Sequence, residues 1–354
     1  MSHIVLYRDV DNSEIAVDEP LTDNINFDEV VADLGIPSYV DLRNQSIKIA
    51  MSSIWAANNS VKLFGDASRE LRIKGSLSPL LFGGIAVKML CPSANIDYSP
   101  FDRSIGDVDF VATSRDANKI VSVLVHMHKK LGTRYYFFLT PQDKSFNALR
   151  GGRRYRVRML DAINNGNPIV KDVDIFSDNI ELRHLLIFDD EFKLSRENLW
   201  TIGAEKLLLS KVQGIMEIDE TERGYLDQAG QTFRILDYPY YRTGKIIIGV
   251  EWKDMIDTCS LLHDCVNESG NNPKIDPHRI VSVLRKNKKF ALTARLNLSN
   301  ILHNEDFLRS KGLTSPAVSR IMRGAQLLLD TIPDPNKKWS KPWWNEDVDT
   351  PIVS

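Results

Sequence analysis

Cysteine is scarce in this 354-residue chain: Cys91, Cys259 and Cys265 are the whole complement, and no two form a CxxC pair. That pattern offers neither a disulfide framework nor a thiolate zinc site. The seven histidines are scattered, and His126 and His128 lack a second ligand pair at zinc spacing. No apolar run approaches the roughly 18 residues that span a bilayer, and the polar N-terminus does not resemble a signal peptide. A cytoplasmic protein with no membrane contact is therefore expected. Charge of one sign is also missing, since 45 Lys and Arg stand against 47 Asp and Glu. Any grip on nucleic acid must come from a local patch rather than a global field. No internal repeat is visible.

What is present is an ordinary globular composition, long enough for about two domains. Residues 1–37 read as an acidic, proline-interrupted extension with one short strand at Ile4 to Tyr7. Residues 38–190 form the first domain. A helical pattern over 38–74 is followed by "SPLLFGGIAVKML", an apolar run, two glycines and a helix start. Strands are expected at "GDVDF", "RYYFFLT", "RRYRVRML" and "VKDVDIF", with a helix over 116–131 and a loop through Asn164, Asn165, Gly166, Asn167 and Pro168. Residues 191–332 read as a helical domain, in which Asp276 and Pro277 pair as N-cap and first turn. Residues 333–354 form an irregular tail rich in Pro and Trp. There the Trp343–Trp344 pair reads as an anchor on its own domain. The fold class is α/β (α+β): a mixed sheet with flanking helices and a C-terminal helical domain.

The chemistry-bearing stretch is "RSIGDVDF". Successive strand side chains alternate faces, so Asp107 and Asp109 emerge together while Val108 and Phe110 pack opposite. Two adjacent carboxylates repel unless a cation lies between them. "VKDVDIF" repeats the pattern with Asp172 and Asp174. A Gly83–Gly84 turn opening a helix places bare backbone N–H groups where phosphate oxygens can approach. Carboxylate oxygens together with substrate phosphates are the ligand set that Mg²⁺ prefers, with Mn²⁺ an alternative. A metal pair so held stabilises an in-line displacement at phosphorus.

In combination, these motifs resemble the DNA polymerase β-type nucleotidyltransferase superfamily. More closely, "LLFGGIAVKML", "RSIGDVDF", "AEKLLLSKV" and "KDMIDTCSLL", in that order, resemble the abortive-infection AbiE-type (AbiEii) toxin nucleotidyltransferases over residues 75 to 265. The resemblance implies a nucleotidyltransferase fold and Asp107, Asp109 and Asp174 as metal-binding catalytic residues. It favours Asp174 over Asp172, either as ligand or as the base that takes the acceptor's proton. It implies nucleotide contacts from Gly83, Gly84, Arg103 and Lys211, with Lys206 as the alternative lysine. Asp254 and Asp257 match the last motif and are read as structural. Ile85 stands where the AbiE-type pattern commonly has Thr, and an insertion around "CPSANIDYSPFD" separates Gly84 from Asp107.

The implied activity is transfer of a nucleotide from an NTP to an acceptor hydroxyl, in a toxin or phage-defence setting. RNA, including a tRNA end, is the implied acceptor, and an antitoxin protein the implied partner. The alternatives are adenylyl transfer to a small molecule such as an antibiotic, and a nucleotidyltransferase-fold protein that binds nucleotide or RNA without catalysis. Two basic stretches could serve a phosphate-rich acceptor. In "RGGRRYRVRML", Arg154, Arg156 and Arg158 share one strand face; "RKNKKFALTAR" covers residues 285 to 295.

Overall fold

The computed structural model describes residues 5–8, 14–17, 25–131, 135–150, 152–161, 169–188, 190–193, 200–239, 242–266, 275–335, 339 and 342–346. The expected loop through Asn164 to Pro168 lies outside them, as does Ile4 at the start of the expected first strand. The chain forms two units. One comprises residues 1–89, 104–180 and 187–202; the other comprises 90–103, 181–186 and 203–354.

In the first unit, β1 (Val5–Arg8) and β2 (Glu14–Val17) make an antiparallel pair, followed by α1 (Phe27–Leu34), α2 (Gln45–Asn58), α3 (Ser60–Phe64) and α4 (Ala67–Glu70). The main sheet uses β3 (Leu80–Phe82), β4 (Val108–Ala112), β5 (Tyr135–Phe138), β6 (Arg154–Asp161) and β7 (Ile169–Ser177) in the order β3-β4-β7-β6-β5. Only β4 and β7 run parallel; every other neighbouring pair is antiparallel. Between these strands lie α5 (Gly83–Leu90), α6 (Ser114–Leu131) and α7 (Pro141–Leu149). Period-two alternation gives the sheet an apolar face of Val108, Phe110, Val157, Met159, Val173 and Ile175, all fully buried. Helices α2 and α6 pack against this sheet, α6 burying Ala117, Ile120, Val121, Leu124 and Met127 at helical spacing. The opposite face carries the charged residues.

After β8 (Asn179–Glu181) and β9 (Leu185–Ile187), the second unit is built from α8 (Ala204–Lys211), α9 (Arg223–Gln228), α10 (Trp252–Cys265), α11 (Pro277–Leu284), α12 (Lys288–His303), α13 (Glu305–Ser310) and α14 (Ser315–Thr331). It also contains an antiparallel two-stranded sheet, β10 (Met216–Asp219) with β11 (Lys245–Ile248), whose connection includes α9. The Asp276 side chain accepts from the His278 N–H and caps α11, with Pro277 in its first turn. Trp343 and Trp344 are buried with Ile215, Leu236, Ile247 and Leu292, and the Trp343 indole donates to Thr293. No helix among the described residues is long and apolar enough to cross a membrane.

Candidate functional site

The charged face of the sheet is set by register. Asp109 on β4 lies directly opposite Asp174 on β7, and Asp174 lies opposite Arg156 on β6. Neighbouring strands sit about 4.8 Å apart, so these side chains share one row. Two segments more than sixty residues apart thus bring carboxylates together. Asp107 lies one residue before β4 begins rather than within the strand, and it is exposed.

Gly83 follows β3 directly and opens α5 with φ +63°, a left-handed conformation that glycine adopts without a Cβ penalty. A Cβ placed there would lie 2.3 Å from Asp109 Oδ2. The bare backbone therefore touches the carboxylate that the row presents. Gly84 is the second residue of the same helix.

Asp174 is 5% exposed, and its oxygens are engaged. Arg154 Nη2 donates to Oδ2 at 2.6 Å, while Arg156 donates to Oδ1 and Oδ2 at 3.2 Å each. Asp172 is more open, with Arg156 Nε 3.5 Å from its Oδ2. Burial pushes the Asp172 carboxyl above the ordinary range; the negative charges of Asp174 and Asp107 add to that push, against the pull of Arg156 and Arg158. Asp172 thus feels the charge of both Asp174 and Asp107.

These contacts correct the reading of the arginine strand as a row available to phosphate. Arg154 and Arg156 bind Asp174, and Arg158 binds Asp143, which also closes a capping box with Thr140 on α7. The Phe146 ring on α7 sits beside three guanidinium groups, those of Arg150, Arg154 and Arg156, at 5.2 to 5.6 Å. The signal for this pairing was present: Arg and Asp both recur at period two on strands that can lie antiparallel.

Arg103 and Lys211 belong to the second unit, where they are bound to carboxylates. Arg103 forms a two-point pair with Asp257, at 2.7 Å from Nε and 2.6 Å from Nη2. Lys211 Nζ lies 2.9 Å from Asp254 and 2.8 Å from Asp257. Burial opposes both charges, yet the partners win. The Asp257 carboxyl is held below its usual range by Lys211 and Arg103, and the Lys211 amine is held above its usual range by Asp254 and Asp257. Lys206, the alternative lysine, is buried on α8. Asp254 and Asp257 of the fourth motif thus share one network of ion pairs with Arg103 and Lys211.

Among the described residues, no three His, Cys, Asp or Glu side chains gather as a preformed metal group. The donor chemistry nevertheless suits a hard divalent cation: Asp107 and Asp109 offer carboxylate oxygens beside a bare glycine backbone. Asp174 contributes negative charge to the same row, with its oxygens already accepting from two arginines. Comparison with protein-family models, with curated proteins and with solved structures finds no match for this chain.

Proposed function

We propose that this chain is a Mg²⁺-dependent nucleotidyltransferase that moves a nucleotide from an NTP to an acceptor hydroxyl. The observation that carries the reading is the alignment of Asp109 with Asp174 across the parallel β4–β7 pair, with Gly83 packed against the Asp109 carboxylate. In this reading, the first turn of α5, free of a side chain at Gly83 and Gly84, receives phosphate oxygens on its backbone N–H groups. Asp107 and Asp109 hold the metal, which supplies charge neutralisation at the transferring phosphorus. Arg154 and Arg156 fix the Asp174 carboxylate in place beside Asp109. The rate then derives from positioning and electrostatics rather than from a covalent intermediate.

RNA is the acceptor that the sequence resemblance implies, within a toxin or phage-defence role balanced by an antitoxin. A second observation supports a polyanionic acceptor. Arg285, Lys286, Lys288 and Lys289 are all exposed, and no Asp or Glu occurs from Pro277 to Asn304. A small hydroxylated molecule would have no need of such a patch. The non-catalytic alternative is favoured by one specific feature, the engagement of Asp174 by two guanidinium groups.

Incubation with each of four labelled NTPs and total RNA, with and without Mg²⁺, separates the readings. Metal-dependent label in RNA is the expected result. Nucleotide binding without transfer to RNA or to a small-molecule hydroxyl would establish the non-catalytic alternative instead.

A further inference from the structure

The second unit contains a strap whose contacts with α10 follow the helix backwards. Residues 91–103 touch it at successive points: Cys91 at Cys265, Ser93 at Asp264, Phe101 at His263 and Arg103 at Asp257. Both the N–H and the hydroxyl of Ser93 donate to Asp264 Oδ2, at 2.8 and 2.6 Å. At the end of this run, the Cys91 and Cys265 sulfurs lie 3.8 Å apart. That is van der Waals contact, about 1.8 Å longer than a disulfide bond.

We propose that Cys91 and Cys265 are a redox-active pair that closes to a reversible disulfide, covalently fastening this strap to the C-terminal end of α10. The remaining cysteine provides an internal contrast. Cys259 lies six residues earlier on the same helix, is fully buried, and has its thiol pushed up to about 12 by burial. Cys265, by comparison, is the last residue of α10, where helix ends open most readily. Both paired thiols are buried, so exchange proceeds through such local opening and is slower than at an exposed cysteine.

The chemistry balances with a low-molecular-weight disulfide such as oxidised glutathione as the oxidant. One protein thiolate attacks it, forming a mixed disulfide and releasing one thiolate. The second protein thiolate then displaces the other, and the two departing thiolates take up the two protein protons. The protein loses two hydrogens and the oxidant becomes two thiols.

The test is to treat the folded full-length protein with oxidised glutathione, then unfold it, alkylate free thiols and measure its intact and peptide masses. The expected product carries one alkyl group, on Cys259, and is about 2 Da lighter than the reduced protein before the alkyl mass is added. Its peptide map joins residues 91 and 265. Cys259→Ser retains the cross-link, and Cys91→Ser abolishes it. Three alkylated cysteines, stable glutathione adducts at Cys91 or Cys265, or a bond that includes Cys259 would each overturn the assignment. The wild-type mass map decides the matter even if a variant fails to fold.

Discussion

The two units solve the same electrostatic problem in opposite ways. In the helical unit, Arg103, Lys211, Asp254 and Asp257 neutralise one another at 2.6 to 2.9 Å, and Asp257 is 2% exposed. In the sheet unit, Arg154 and Arg156 neutralise Asp174, while Asp107 stays exposed and Asp109 is half-buried. A closed set of charges holds a fold together but has little left for a ligand. The open row leaves Asp107 exposed to solvent, and repulsion between carboxylates along it is what a bound cation would relieve. Residue type alone does not separate the two sets, since both consist of aspartates and cations. Closure does.

Breaking each set should produce different losses. The largest expected effect is on activity: Asp109→Asn lowers nucleotide transfer at least ~100-fold, because charge neutralisation at phosphorus is lost. Its denaturation midpoint should remain near that of the wild type, as checked by urea titration with circular dichroism.

Asp257→Asn should show the reverse emphasis. It removes the buried carboxylate that Arg103 and Lys211 share and costs about 3–5 kcal/mol of stability, measured by the same titration. A midpoint unchanged by Asp257→Asn would remove the distinction between the two sets.

The pH profile sharpens the comparison. Asp257 titrates below its unfolded value, so its contribution is intact above about pH 4 and fades as pH falls through the depressed native value. Lys211 titrates above its unfolded value, so its contribution is intact below about pH 10 and fades as pH rises through the elevated native value. Thermal midpoints of wild type and Asp257→Asn should therefore converge at low pH. A gap that stays constant from pH 7 to pH 2 would contradict the network.

A smaller stability effect is expected at Gly83→Ala, about 1 kcal/mol for a non-glycine residue at positive φ. Transfer should fall further than that stability loss explains, because the new Cβ displaces the Asp109 carboxylate. Stability comes from the urea titration and transfer from the labelling assay. The smallest effect is expected at Asp254→Asn, whose side chain is 31% exposed, with a loss of roughly 1 kcal/mol or less.

Much of the sheet was legible because period-two alternation is local. Asp109 against Val108 and Phe110, and Asp174 against Val173 and Ile175, fixed which side each strand would bury. The diglycine helix start was equally local, since Gly83 and Gly84 follow an apolar run directly. Register was not legible. Nothing near Asp109 in the chain specifies that it meets Asp174 rather than Asp172, because that depends on how β4 and β7 slide past each other. The same limit applied to the cations. Arg154 and Arg156 were visible as a face, but their carboxylate partners lie eighteen and twenty residues away. Arg103 was assigned a nucleotide contact by the family resemblance, and nothing local in the chain indicated its two-point partner Asp257, 154 positions along.

The open carboxylate row is proposed to hold a divalent cation together with a nucleotide. Titrating Mn²⁺ into wild type and Asp109→Asn, each with a non-hydrolysable NTP analogue, and following the free-ion paramagnetic resonance signal tests it most directly. Saturable nucleotide-dependent uptake by the wild type, lost in the folded variant, is the predicted result. Equal uptake by both proteins, or none by the wild type, would contradict the account.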